Sequence, residues 1–298
     1  MIEVKNLTKS FDKVKVLEDL NFTIKDEAIY GLIGANGAGK STLLRIINDI
    51  YNQDAGEVLV DGVNVKDNQE IQQDFVFVPD DLFFYPSYTV LDTAEYYKAL
   101  YKNFDMEYFK KLMETLKLDL KRKVNTFSKG MKKQLAISCA LSTNAKYIFL
   151  DETFDGLDPV VRNLMKKLFA ERISEKKATI LMTSHNLREL EDICDCLGLL
   201  FKGKILFESD INTLKTNIFK VQVAFKENFD KDDFKGLDIL NFTKNGSVAT
   251  IITKGKEEEI RSVIEKMNPI ILDFLTLTLE EIFIYEMEVL GYEFNSTL

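Results

Sequence analysis

The chain has no tryptophan, four prolines, three cysteines and one histidine. Nowhere does it carry the run of about eighteen apolar residues that a bilayer-spanning helix needs. Any work at a membrane is therefore expected to pass through a partner. The opening Met-Ile-Glu-Val-Lys-Asn lacks the charged-then-apolar pattern of a secretory signal. The cysteines have no metal-ligand spacing: Cys139 sits in an apolar helical pattern, and Cys194 and Cys196 stand one residue apart. They fit reduced thiols in a cytosolic protein and offer no disulfide framework. Positive charge is also short, with 39 Lys and Arg against 48 Asp and Glu and a net charge of −9. A general nucleic-acid binder draws its affinity from the opposite balance, so no nucleic-acid partner is expected. Lys121-Arg122-Lys123 and Lys132-Lys133 are local exceptions and read as solvated helix faces. What remains is 298 residues, 46% of them hydrophobic, enough for one large core or two smaller ones.

The most informative segment is Gly34-Ala35-Asn36-Gly37-Ala38-Gly39-Lys40-Ser41-Thr42. It follows the apolar run Ile29–Ile33 and precedes the helical pattern Leu43–Ile47, the strand–loop–helix context that G-x-x-x-x-G-K-[ST] requires. Gly34, Gly37 and Gly39 free successive N–H groups to wrap phosphate oxygens, and the helix beginning near Lys40 adds its unpaired amides and positive dipole end. Asn36, Gly37, Ala38, Gly39, Lys40, Ser41 and Thr42 are thus expected to hold a nucleoside triphosphate. Lys40 reaches its β- and γ-phosphates, and Ser41 offers a hydroxyl to Mg²⁺.

Residues 1–30 read as an antiparallel β region, followed by strands at Val58–Gly62 and Phe75–Pro79. From about 85 to 145 the period becomes helical, which suggests an inserted helical subdomain. Strands return at Tyr147–Leu150 and Ala178–Thr183, with a helix from about Val160 to Glu175 between them. Alternation of this kind predicts an α/β sheet with nucleotide loops at the strand ends. The boundary falls near 208. Residues 209–298 read as a small α+β domain, with strands at Lys220–Phe225, Val248–Thr253 and Ile270–Leu275 and helices at Glu257–Lys266 and Leu279–Leu290. The strand Tyr147–Leu150 ends on two carboxylates. Asp151 suits the Mg²⁺ shell, and Glu152 suits polarisation of an attacking water.

Phe127-Ser128-Lys129-Gly130-Met131 opens a helix about twenty residues before that strand. A serine and a glycine amide at a helix start make a second anion site. With the phosphate loop and the acidic pair, this segment resembles the signature loop Leu-Ser-Gly-Gly-Gln of the nucleotide-binding subunits of ATP-binding cassette (ABC) transporters. Ser128 and Gly130 match it; Phe127, Lys129 and Met131 depart from it. The resemblance implies the mixed-sheet P-loop ABC ATPase fold over residues 1–208, with an antiparallel β region and a helical subdomain. It implies an ATP-hydrolysing subunit whose two ATP sites are shared across a head-to-tail homodimer, or a heterodimer with a paralogue. It also implies a separate transmembrane permease, which would hold the chain peripherally on the cytoplasmic face of the cell membrane. By the same resemblance Phe11 stacks on adenine, Asp158 in Gly156-Leu157-Asp158-Pro159 contacts the opposite subunit's phosphate loop, and His185 binds the γ-phosphate and positions water.

One departure bears on coupling. Where the family usually has Pro-Gln, this chain has Pro79-Asp80-Asp81, and Asp80 is the expected substitute ligand for Mg²⁺. Leu279-Glu280-Glu281-Ile282-Phe283 resembles an element of ATPases that serve ABC-2-type exporters, which often carry Lys-Gly-Met in the signature. That implies export of peptides, lipids or drugs. The competing reading is a non-transport ABC ATPase acting on the ribosome or DNA, or as a regulator. Such members generally carry paired cassettes with a charged linker or long coiled coils, and this chain has neither. A kinase-like P-loop enzyme would leave Ser128, Gly130 and His185 unexplained.

Overall fold

The computed structural model describes residues 1–66, 68–211, 213, 217–275 and 277–289. It divides into two compact units, Met1–Glu208 and Ser209–Leu298. In the first, β1 (Ile2–Phe11) pairs antiparallel with both β2 (Val14–Ile24) and β4 (Ala55–Val60), and β5 (Val63–Asn64) completes a four-stranded sheet in the order β2-β1-β4-β5. Its strands alternate buried and exposed residues, as a sheet with one wet face does.

The second sheet runs β10-β9-β3-β8-β7-β6. Its strands are β3 (Ile29–Ile33), β6 (Phe75–Val78), β7 (Tyr147–Asp151), β8 (Thr179–Ser184), β9 (Cys196–Phe201) and β10 (Lys204–Asp210). β6, β7, β8, β3 and β9 are mutually parallel. Every residue of β3, β7 and β8 is buried, so these strands read as unbroken apolar runs rather than alternating ones. Helix α1 (Lys40–Ile47) sends Leu43, Leu44, Ile46 and Ile47 into a core shared with Ile2, Val4, Leu7, Phe22 and Val58 of the first sheet and Phe149 and Leu181 of the second. One short helix, α2 (Gln69–Gln72), lies before β6.

The expected helical block contains α3 (Val90–Leu100), α4 (Met106–Thr115) and α5 (Lys129–Ser142). Thr89 and Asp92 form a reciprocal capping box at the start of α3, and Asp105 and Ser128 cap α4 and α5 through Tyr108 and Met131 N–H. Beyond β7, α6 (Pro159–Lys176) begins with Asp158 as its cap and proline in its first turn, and α7 (Leu187–Glu191) follows β8.

In the second unit, β11 (Ile218–Ala224), β12 (Asp238–Asn245), β13 (Val248–Lys254) and β14 (Ile271–Leu275) form an antiparallel sheet in the order β12-β13-β11-β14. Helix α8 (Glu257–Glu265) places Ile260 and Ile264 in a core with Val221, Val223, Ile251, Phe225, Phe229 and Phe234, against which Phe242 packs. Helix α9 (Leu279–Val289) lies against β12 and buries Leu279, Ile282 and Phe283. The expected helix end at Leu290 falls outside the described residues.

Candidate active site

β3, β8 and β7 are neighbours in the sheet and all parallel, so their carboxyl ends open side by side. The phosphate loop follows β3, Asp151-Glu152 ends β7, and His185 follows β8. Strand order alone therefore gathers the phosphate loop and two segments more than a hundred residues further along the chain at one sheet edge.

Their side chains meet. Lys40, almost fully buried, donates from Nζ to the carbonyls of Gly34 at 2.6 Å and Ala35 at 3.3 Å, and forms an ion pair with Glu152 Oε1 at 3.0 Å. The other carboxylate oxygen, Oε2, lies 2.8 Å from His185 Nδ1 and accepts from the His185 backbone N–H at 3.3 Å. With Glu152 ionised, Nδ1 carries the proton of that contact. Burial pushes the Glu152 carboxyl up, but the hydrogen bonds and charges of Lys40 and His185 outweigh it and hold the group below the usual carboxylate range.

The Glu152 backbone is unusual as well. Its φ is 49°, in the left-handed region that glutamate seldom visits. Its N–H donates to Thr183 O at 3.2 Å and Thr183 Oγ1 at 3.1 Å, and its carbonyl accepts from Lys133 Nζ at 2.6 Å. Thr183 Oγ1 in turn donates to Asp151 Oδ1 at 2.6 Å, which fixes that buried carboxylate with a second oxygen to spare.

The loop itself has the form of an anion cradle. Gly37 and Gly39 take φ of 80° and 109°, and a Cβ on Gly39 would lie 2.7 Å from Leu17 Cδ2 and 3.0 Å from Val16 O. Gly39 stands directly before the first turn of α1, whose leading N–H groups have no partner within the helix. Ser41 is half-buried at that turn. Its hydroxyl and the Asp151 carboxylate are hard oxygen donors of the kind Mg²⁺ takes.

The remaining expected residues form other groups. Phe11, at the end of β1, exposes its ring and meets Tyr51 edge-on at 5.7 Å, an aromatic partner the strand pattern gave no reason to single out. Ser128 Oγ accepts from Met131 N–H at 3.2 Å, and Asp158 Oδ1 accepts from Val160 and Val161 N–H at 3.0 Å each. Gly130 approaches Gly156, whose carbonyl would lie 3.3 Å from a Cβ placed there. Asp80 sends Oδ1 to Lys133 Nζ at 3.4 Å.

Lys133 corrects an expectation. It is not part of a solvated face: its side chain is fully buried, and it binds the carbonyls of Glu152 and Asp155 as well as Asp80. Adjacent lysines in a helix give no sign of this, because the carbonyls that receive Lys133 come from a distant loop.

A phosphate loop, a carboxylate held ionised at its mouth and a histidine on that carboxylate define a P-loop nucleotide-hydrolysing enzyme. Residues 17–155 match the ABC transporter family. The chain is 32% identical to the ABC transporter ATP-binding protein YtrB of Bacillus subtilis (strain 168), over 95% of this chain and 97% of that one. It is 29% identical to the linearmycin resistance ATP-binding protein LnrL of the same organism, over 69% and 68% of the two chains. It is 30% identical to a methionine import ATP-binding protein, MetN of Clostridium acetobutylicum, over 87% and 85%. Among solved structures, the ATP-binding subunit of an ABC transporter superposes with a TM-score of 0.66 at 26% identity, covering 72% of this chain and 92% of that one. The chain belongs to the ABC transporter family, as an ATP-binding subunit whose activity is ATP hydrolysis.

Proposed function

We propose that this chain is the peripheral ATPase of an exporter, held on the cytoplasmic face of the membrane by a separate transmembrane permease. Two copies, or one copy and a paralogue, close head to tail on two ATP molecules. Each ATP lies between one protomer's phosphate loop and the Ser128–Gly130 loop of the other. The observation that carries the reading is the Lys40–Glu152–His185 cluster at the mouth of the loop. When ATP enters, its γ-phosphate competes for Lys40, which frees Glu152 to take a proton from water. His185 keeps that carboxylate oriented through its Nδ1 proton; for Nε2 to donate to the γ-phosphate it must carry a proton as well, so the role on phosphate belongs to the doubly protonated ring. Ser41 and Asp151 would hold Mg²⁺, which supplies charge neutralisation at the β- and γ-phosphates. Phe11 offers its ring face to adenine, and Asp158 meets the partner's phosphate loop.

The permease contact belongs to the aromatic groove of about 260 Å³ between the segment after β6 and α3, where Phe83, Tyr85, Tyr96 and Leu100 are exposed. An apolar helix end of the permease fits such a surface. Export rather than import is supported by the Ser-Lys-Gly-Met signature, by Leu279–Phe283 and by similarity to a resistance ATPase. Similarity to a methionine importer favours import as the second reading.

The test is mass spectrometry of what co-purifies with the tagged chain from detergent-solubilised membranes of its native host. A stoichiometric polytopic membrane protein is expected. Ribosomal proteins, DNA-bound factors or the absence of any membrane protein would overturn the transporter assignment.

A further inference from the structure

Lys133 sits one turn after Gly130 on α5, with its side chain wholly out of water. A buried ammonium is tolerated only when its donors are met. Here they are met by three groups from two other loops: the carbonyl oxygens of Glu152 at 2.6 Å and Asp155 at 3.0 Å, and Asp80 Oδ1 at 3.4 Å. The first carbonyl belongs to the residue with φ of 49°, whose N–H is held on its other side by Thr183. A non-glycine residue stays in that region only when its surroundings over-determine it. Thr183 and Lys133 grip the two ends of the Glu152 backbone, and that grip aims the carboxylate at Lys40 and His185.

We infer that Lys133 is a positioning residue for hydrolysis: it holds the Glu152 backbone in its strained conformation, and Asp80 acts as the counter-charge of Lys133 rather than as a metal ligand. The signature helix, the loop after β6 and the loop after β7 are thereby joined at one ammonium. A shift of α5 by an ångström would alter the aim of Glu152, so helix position and hydrolysis are linked. The inference rests on the reading of Glu152 as the residue that activates water.

The experiment measures ATP turnover of the full chain against ATP and Mg²⁺ concentration, together with ATP affinity, for Lys133→Met, Asp80→Asn, the double variant and Glu152→Gln. Lys133→Met is expected to lower kcat at least about tenfold while KM and ATP affinity stay within about twofold, the split that marks loss of an interaction realised only in the transition state. Asp80→Asn is expected to lower kcat without moving the half-saturating Mg²⁺ concentration, and to add nothing in the Lys133→Met background. Folded Lys133→Met with unchanged kcat would overturn the inference. So would an Asp80→Asn variant whose Mg²⁺ requirement shifts equally in both backgrounds. If Lys133→Met does not fold, Asp80→Asn decides alone: lowered kcat at unchanged Mg²⁺ requirement supports the link, and a shifted requirement or unchanged kcat refutes it. Turnover surviving in Glu152→Gln would count against the role of Glu152 itself. Loss there beside an unaffected Lys133→Met would count only against Lys133.

Discussion

Lys40 and Glu152 each answer a problem the other creates. A lysine that is 4% exposed needs acceptors, and a half-buried carboxylate needs a cation; the pair meets both needs. Because burial alone would push the Glu152 carboxyl up, Lys40→Met should raise its pKa, with His185 left as the remaining stabilising neighbour. The sign extends to stability. A carboxyl held below its ordinary value stabilises the fold above that value and loses the contribution as pH falls through the native one. Lys40→Met should therefore weaken the acid dependence this residue contributes. Carboxyl-carbon NMR titration of Glu152 in the two proteins measures the shift, and identical titrations would mean that the ion pair does not form in solution. At this scale the sequence singled out Lys40 by a spaced motif, Glu152 by its place at the end of a buried strand and His185 by the family resemblance, and the fold brings the three side chains together. It misled on Lys133, which reads as part of a solvated face, and was silent on the contacts of Thr183; both depend on groups brought by distant parts of the chain.

At the scale of elements, burial helped but did not decide legibility, for β9, buried at four of its six residues, was not anticipated. The wholly buried strands β3, β7 and β8 were plain as apolar runs, and the helical block as a change of period. β12 was missed. Asp-Ile-Leu-Asn-Phe-Thr-Lys-Asn is an edge strand with no fully buried residue, so it carries neither an apolar run nor clean alternation. Ion pairs between elements were equally invisible. Asp61, in the turn after β4, accepts from Lys146 Nζ at 2.7 Å just before β7, and Tyr147 Oη donates to the same carboxylate at 3.2 Å. Lys146, then the Met1 ammonium, hold the Asp61 carboxyl down at about 2. The contribution is fully present above the ordinary aspartate range and fades as pH falls from about 4 to about 2. Both partners are well exposed, so it is worth on the order of 1 kcal/mol or less. Lys146→Met should lower stability to urea slightly at neutral pH and leave it nearly unchanged near pH 2. A deficit that persists undiminished in acid would assign the effect to lost packing of the lysine stem instead.

At the scale of the molecule, the proposed function gives one protomer two half-sites. In that proposal Lys40, Glu152 and His185 are the hydrolytic half, and Ser128, Gly130 and Asp158 stand at the starts of α5 and α6, where Ser128 and Asp158 accept from N–H groups of their own helices. Exposed helix N-termini with small residues around them suit the phosphates of a second protomer's nucleotide. If ATP glues the two halves together, blocking hydrolysis must lengthen the life of the dimer. Glu152→Gln keeps the shape of the side chain but removes the carboxylate that takes the proton, and with it a negative charge facing the γ-phosphate. Hydrolysis should fall at least about a hundredfold. With saturating ATP and Mg²⁺ the variant should then elute as a dimer in size-exclusion chromatography with light scattering, and return to monomer when ATP is replaced by ADP. Adding Ser128→Arg should abolish that dimer while leaving ATP affinity of the isolated protomer near the parent value, because Ser128 contributes only across the interface. A Glu152→Gln protein that stays monomeric in ATP, alone and mixed with a paralogous ATPase, would confine the nucleotide to a single protomer and remove Ser128, Gly130 and Asp158 from the site.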